Sequence, residues 1–229
     1  VKVSLLNFTP DPEKTISIAA KLCYSPSSID ELEDKVRGIS QEDFLKKILT
    51  LGHLSVLEHA NFTFGIEGIS RATSHQLVRH RLASYSQQSQ RYVKFKSEGG
   101  AEYIIPPSIK GKEKEAFKEF LSTVETLYEK LVTAGIPKED ARYILPNAAA
   151  TKIIVTMNAR ELLHFFNLRC CERAQWEIRE MATLMLSHVR KVSPFIFSTA
   201  GPGCLAAACP EGEMTCGNIK EVREKFKSL

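Results

Sequence analysis

Residues 152–170, KIIVTMNARELLHFFNLRC, decide the fold class. Ile153, Ile154, Val155 and Thr156 are β-branched in a row, which suits a pleated surface, so residues 152–157 read as a strand. Asn158, with Glu161 three residues on, is the pattern that opens a helix, and the helix runs to about Cys170. A strand that passes straight into a helix places both element types in one fold.

Outward from that stretch the pattern continues. Residues 174–192 form another helix, with Ile178, Met181, Met185, Val189 and Val192 as its apolar stripe and Pro194 ending it. Upstream, residues 113–134 form a long helix with Phe117, Phe120, Val124, Leu127 and Leu131 on one stripe. Gly135 caps it, and Pro137 opens a short helix at its first position. Nearer the N-terminus, residues 2–8 alternate as a strand and 12–23 read as a helix. Ser40 with Asp43 starts a helix marked by Phe44, Ile48 and Leu51, and Gly52 caps it. Residues 61–66 read as a strand with Phe62, Phe64 and Ile66 on one face. Residues 70–82 read as a helix carrying Arg79 and His80 near its end, and 92–95 as a short strand. The sum is a helix-rich α+β fold, with strands too irregularly placed for a doubly wound parallel sheet. One domain over residues 1–229 is expected from the length.

Composition narrows the class. Hydrophobic residues make up 43% and charged residues 25%, so the chain can build a core and is not disordered. No stretch approaches the roughly 18 apolar residues of a membrane helix. The first residues, VKVSLLNFTPDPEK, do not pattern as a signal peptide, so a cytoplasmic location is expected. The six cysteines do not read as a disulfide framework. Cys204, Cys209 and Cys216 lie in GPGCLAAACPEGEMTCGN, where four and then six residues intervene. Zinc sites usually show two close pairs, so free thiols are the expectation, with no metal, and the role of these three is open.

Charge is concentrated. Between Gly68 and Ser97 there are six Lys or Arg and no Asp or Glu, whereas the whole chain carries only +4. Such a stretch is either a solvated face or a receiver of anions. Within it lies RHRLASYSQQSQR, residues 79–91. On a helix, consecutive Arg79, His80 and Arg81 would point about 100° apart, so they suit two ligands or one bent around the helix end. The following Ser and Gln residues make a poor core and a good loop, able with Arg91 to bind a phosphate. A nucleic-acid-binding module is the rival from another class, but only Tyr85, Tyr92 and Phe95 interleave the charges. A nucleotide-binding protein without turnover is the third reading.

The segment resembles the motif R-H-R-x-x-S-x-x-x-x-S-x-R of the flavin-dependent thymidylate synthases, matching at Arg79, His80, Arg81, Ser84, Ser89 and Arg91. GHLSVLEHANFTF at 52–64, GIPKEDARYILP at 135–146, MNARELLHFFNLR at 157–169 and AQWEIRE at 174–180 resemble further family segments. Together these cover most of residues 50–190. Gln87 stands where some members have an acidic residue, and His164 where members have His or Asn.

The resemblance implies a mainly antiparallel sheet and a homotetramer with shared active sites. It also implies conversion of dUMP to dTMP, with methylenetetrahydrofolate as carbon donor and FAD reduced by NADPH. Carried over by position, Gln76, Leu77, Val78, Arg79, Gln87, Gln88, Ser89, Gln90, Arg91, Arg142 and Arg169 would bind dUMP. His53, Ser55, Arg79, His80, Arg81, Asn158, Arg160 and His164 would bind or adjoin FAD. No Gly-rich strand–turn–helix is present to hold the flavin, and Gly99-Gly100 has the wrong setting. Arg169 is the candidate catalytic residue, favouring ionised uracil; its plain alternative is an Arg satisfying the last carbonyls of a helix. Ser89 lacks an adjacent base and is expected to hydrogen-bond rather than attack. Cys170 and Cys171 offer a rival cysteine mechanism, and His53, Glu58 and His59 an acid–base or metal cluster. Nucleic acid and membrane are not expected partners.

Overall fold

Four strands carry the sheet: β1 (Lys2–Phe8), β2 (Asn61–Ser70), β3 (Ala83–Gln87) and β4 (Ala150–Asn158), hydrogen-bonded in the order β1-β2-β4-β3. This is a computed structural model, and it describes residues 1–95 and 102–229. Lys96, Ser97 and Gly99-Gly100 therefore lie outside the described residues. β2 and β4 run antiparallel: the Thr63 and Thr156 hydroxyls meet at 2.9 Å, and further along β2 Glu67 meets Lys152, lower in number on β4, at 3.4 Å. The α+β expectation holds.

The helices are α1 (Pro12–Leu22), α2 (Ile29–Arg37), α3 (Gln41–Thr50), α4 (Arg71–Leu77), α5 (Gly111–Thr133), α6 (Lys138–Ala141), α7 (Ala159–Arg169), α8 (Trp176–Val192), α9 (Pro194–Phe197) and α10 (Ile219–Lys227). The chain gathers into two units. One comprises residues 1–2, 66–79 and 85–154; the other comprises 3–65, 80–84 and 155–229.

The larger unit holds a continuous aromatic run. Phe8 stacks on Phe62 at 6.4 Å, and Phe62 meets Phe197 edge-on at 5.5 Å. Phe197 meets Phe166 at 6.0 Å, Phe166 meets Phe165 at 5.8 Å, and Phe165 meets the ring of His80 at 4.9 Å. Offset and edge-to-face rings of this kind add to the apolar burial of each side chain. Ile178, Met181, Met185 and Val189 of α8 are buried as their spacing requires. α9 is held from a distance. Buried Glu13 of α1 accepts from Ser193 Oγ at 3.1 Å and from the main-chain N–H of Phe195 at 2.7 Å, supplying acceptors to an otherwise unsatisfied helix start.

Caps fall where the sequence puts them. Asn158 Oδ1 accepts from Glu161 N at 2.8 Å, and Ser40 Oγ from Asp43 N at 3.3 Å. After α3, Gly52 takes φ +74, donating to Leu49 O while His53 donates to Ile48 O. This is the glycine-terminated helix end, and it aims the chain at His53.

Several expectations are corrected. The helix read over 70–82 ends at Leu77, so Arg79 and His80 are not helical. Tyr85 Oη donates to Leu77 O at 2.8 Å, satisfying an orphaned terminal carbonyl. Leaving the helix there frees His80 from its periodicity, and its side chain is buried. The polar loop expected after it begins as strand β3, an edge strand in which Ser84 and Ser86 are exposed. Residues 92–95 are not a strand; Val93 N–H donates to Ser89 O in a turn. On α5 the buried face is Leu121, Val124 and Tyr128, while Phe120 and Leu127 are exposed. Pro137 caps α6 rather than opening it. Helices α2, α9 and α10 were not expected.

Phe166 is fully buried between Phe165 and Phe197. Phe166→Ala should lower unfolding stability by about 3–5 kcal/mol, measured by urea denaturation of the flavin-free chain. An unchanged midpoint would show that the aromatic run contributes little.

Candidate active site

α7 begins at its Asn158 cap, with Ala159 N–H donating to Ala60 O at 2.8 Å. The resulting helix turns Leu162, Phe165 and Phe166 into the core. On another side Arg160 reaches Glu58 at 2.6 Å, fixing the 3₁₀ turn Leu54–His59 that carries Ser55. Glu58 is thereby committed to an ion pair. Among the described residues no three His, Cys, Asp or Glu are set as a metal cage, so the cluster of His53, Glu58 and His59 does not form one. His53 instead meets Tyr24, whose Oη lies 3.3 Å from Nε2. Asn158 spends its side-chain oxygen on the cap, which leaves the amide N–H₂ for any other partner.

The centre of this unit is His80. Its Nδ1 lies 3.1 Å from Glu161 Oε1, and its Nε2 accepts from Arg169 Nε at 3.0 Å. A guanidinium can only donate, so Nε2 carries a lone pair and the ring proton sits on Nδ1, directed at Glu161. The imidazole is therefore neutral. Burial pushes its pKa below the usual histidine value, and the positive charge of Arg169 acts the same way. The hydrogen bond that His80 donates to Glu161 opposes both. His164 stands beside it, ring centroids 6.0 Å apart. The relay Glu161–His80–Arg169 holds the last residue of α7, with Arg169 Nε committed to His80. Sequence reading missed Glu161 as anything but a helix-start residue, because its partner lies far away along the chain.

The smaller unit collects the other set of candidates. Gln88, Ser89 and Gln90 line a cavity of about 240 Å³ with Lys94, Lys152 and Thr151. Gln88 N–H donates to Lys152 O at 2.9 Å, and Gln87 Nε2 to Thr151 Oγ1 at 3.2 Å, so β4 positions both. Glu67 and Glu102 also line the cavity. The hydrogen bond and charge of Lys152 hold the Glu67 carboxyl below the usual range. Arg91 is paired with Glu139 at 2.7 Å. Arg71 is half-buried. Burial lowers its pKa first, and the like charge of Arg142 lowers it further. Two guanidiniums in this relation are stabilised by an anion, so Arg71 is a further candidate for binding one, which the sequence reading did not single out. Gln76 is half-buried, and Val78 and Arg79 are exposed. Leu77 is fully buried and could serve a ligand only through its main chain.

The candidates thus divide. Gln76 to Arg79, Gln87 to Arg91 and Arg142 belong to the smaller unit. His53, Ser55, His80, Arg81, Asn158, Arg160, His164 and Arg169 belong to the larger, and the chain changes unit between Arg79 and His80. Of the two rival cysteines, Cys170 fares poorly. Burial pushes the Cys170 thiol up to about 12, so it stays protonated and unreactive at neutral pH.

His80 gives a pH prediction. Its folded pKa is depressed, so the unfolded chain takes up the proton first as pH falls below about 6.5. The stability it contributes is complete above that value and is lost as pH falls through it. Side-chain ¹⁵N NMR should show His80 neutral, with its proton on Nδ1, where an ordinary histidine is half charged. Titration at or above the ordinary value would contradict the relay.

Known proteins bear on this geometry. Residues 4–195 match the family described as thymidylate synthase complementing protein. A flavin-dependent thymidylate synthase of Geobacter sulfurreducens is 58% identical over 231 residues, covering 100% of this chain and 99% of the relative. Those of Pyrococcus horikoshii and Clostridium tetani are 50% and 47% identical, over 98% and 97% of their own lengths. The chain belongs to the thymidylate synthase complementing protein family, that of the flavin-dependent thymidylate synthases.

Proposed function

We propose that the chain methylates dUMP to dTMP, for dTTP synthesis, as one functional domain acting in the cytoplasm within a homotetramer. Methylenetetrahydrofolate supplies the carbon, and FAD, reduced by NADPH, carries the hydride. Family membership over the whole chain supports the reaction, and the buried hold on Arg169 supports the assignment of roles.

Carbon 5 of uracil is a weak nucleophile. A cysteine adding at carbon 6 would activate it, but Cys170 is held as a thiol. A fixed cation beside N3 and O2 instead favours loss of the N3 proton, which raises electron density at carbon 5. Arg169 takes that role. Its Nε is committed to His80, so the nucleobase would meet the terminal nitrogens of the guanidinium. Neutral His80 adds no second charge, and Glu161 fixes its tautomer. The phosphate is taken by Arg142 and Arg71, with Gln87, Gln88, Ser89, Gln90 and Arg91 completing the nucleotide loop and Gln76, Val78 and Arg79 adjoining it.

The residues also suit a flavin. Its pyrophosphate needs donors, and without a Gly-rich turn these must be side chains. Arg79 and Arg81 are exposed cations, and Arg160 can exchange Glu58 for an anion. His53, Ser55, Asn158 and His164 supply further hydrogen-bonding groups. A tetramer is supported by the apolar face that α5 leaves exposed at Phe120 and Leu127, together with Ile136 and Tyr143 beyond it. Light scattering should return four times the 25.7 kDa chain. A monodisperse monomer would remove the tetramer and leave the chemistry standing.

Purified protein should be yellow and bleach anaerobically with NADPH. It should reoxidise and yield dTMP when dUMP and methylenetetrahydrofolate are added. Protein that cannot be loaded with FAD would sink this reading. Arg169→Ala should abolish dTMP formation with FAD still bound. Glu161→Ala should lower kcat about ten- to a hundredfold with less effect on KM for dUMP, because it loosens a group that matters most as charge develops.

A further inference from the structure

The larger unit contains a second constellation that the reaction does not use. Cys171, just beyond α7, lines one small cavity together with Cys204, Cys209 and Cys216. The sequence shows only the last three as a group. The fold supplies the fourth from a segment more than thirty residues upstream. None of the four is in a disulfide. We propose that Cys171, Cys204, Cys209 and Cys216 form a tetrathiolate site for a single zinc ion.

Four observations carry this. First, the ligand set is right: four thiols, with Cys204 and Cys209 separated by four residues, within the spacing common in structural zinc sites. Second, the thiols act on one another. Cys209, Cys171 and Cys216 each lie near enough to Cys204 to act on its charge. Gathered thiols make weak hydrogen bonds and repel one another once ionised, whereas a divalent cation turns that repulsion into ligation. Third, the cavity is about 10 Å³, room for one water-sized sphere. That suits one ion. Fourth, the surrounding segment is built to hold the thiols in place. Arg223 donates to Cys204 O at 2.9 Å and to Ala207 O at 2.8 Å, bracing the chain between two of the ligands. Gly203 lies so close to the following turn that an added Cβ would sit 2.9 Å from Pro210 Cγ.

Charge around the cavity is favourable to a tetrathiolate centre of net charge −2. Arg173 lines the cavity. Glu172, which lines it too, is neutralised by Arg179 at 2.8 Å and Lys225 at 3.6 Å; Glu211 is the other lining carboxylate. Among the described residues no three His, Cys, Asp or Glu stand in metal-holding geometry, so binding requires the four thiols to close on the ion, each releasing its proton to solvent. Because Cys171 follows Arg169 by two residues, the ion would brace the end of α7 against the C-terminal segment.

The test is metal analysis of the full-length protein, purified without chelators under reducing conditions and loaded with zinc. One zinc per chain is expected, with no iron or acid-labile sulfide, released in step with thiols when an organomercurial is titrated in. Ser substitution at Cys171, Cys204, Cys209 or Cys216 should each lower retained zinc severalfold, while Cys23→Ser, at an exposed thiol elsewhere, should not. Should those variants fold poorly, cobalt loaded into the unmutated chain gives a second readout: tetrahedral thiolate ligation absorbs strongly in the red, beyond the flavin. Zinc well below one per chain after loading, iron with sulfide, or disulfides that leave only Cys23 and Cys170 free to alkylate would each overturn the proposal. None of these measurements depends on turnover, so their failure leaves the thymidylate synthase reading untouched.

Discussion

The neutral imidazole of His80 is the constraint on which the rest depends. A buried polar ring must have both nitrogens satisfied, and here one side requires a carboxylate and the other a guanidinium. Glu161 lies in the first turn of α7 and Arg169 at its end, so the ring bonds to both ends of one helix. Phe165, between them in sequence, packs against the ring's edge at 4.9 Å. The helix is thereby locked in rotation as well as in position: turning it would break two hydrogen bonds and an aromatic contact together. A charged imidazole could not accept from Arg169, so the arrangement also selects one protonation state.

Much of this was legible in the sequence, and the exceptions have physical causes. The passage from β4 through Asn158 into α7 could be read because a β-branched run, a capping residue and a helical stripe are all local signals. The end of α4 could not. It is decided by the burial of His80 against Glu161, 81 residues away, and no local pattern encodes that pull. The stripe of α5 was misread because its apolar arc is wide, covering nearly half the circumference, and only one side of that arc is buried. Tyr128 rather than Leu127 faces inward, its Oη accepting from Phe95 N–H at 3.3 Å.

The site was legible in part for a similar reason. Residue identities and spacing pointed to the basic segment and to Arg142, Asn158 and Arg169, but spacing does not show what each side chain is already bonded to. Asn158 is spent partly on a cap, Arg91 on Glu139 and Arg160 on Glu58, while Arg71 emerges only from its relation to Arg142. The thiols show the same limit. Three were visible as a cluster with unconvincing spacing, and the fourth had to be supplied by the fold.

β3 is an edge strand made almost wholly of small and polar residues. One side of its backbone bonds to β4, and the other belongs to the sheet's rim. A hydrophobic rim would invite a second chain to pair there; serines and a glutamine make that unprofitable while leaving main-chain donors and acceptors in place. Recognition delivered by the backbone does not depend on which side chain each position carries. At this rim the main chain therefore stays available to water, provided proline is kept out and the register against β4 holds.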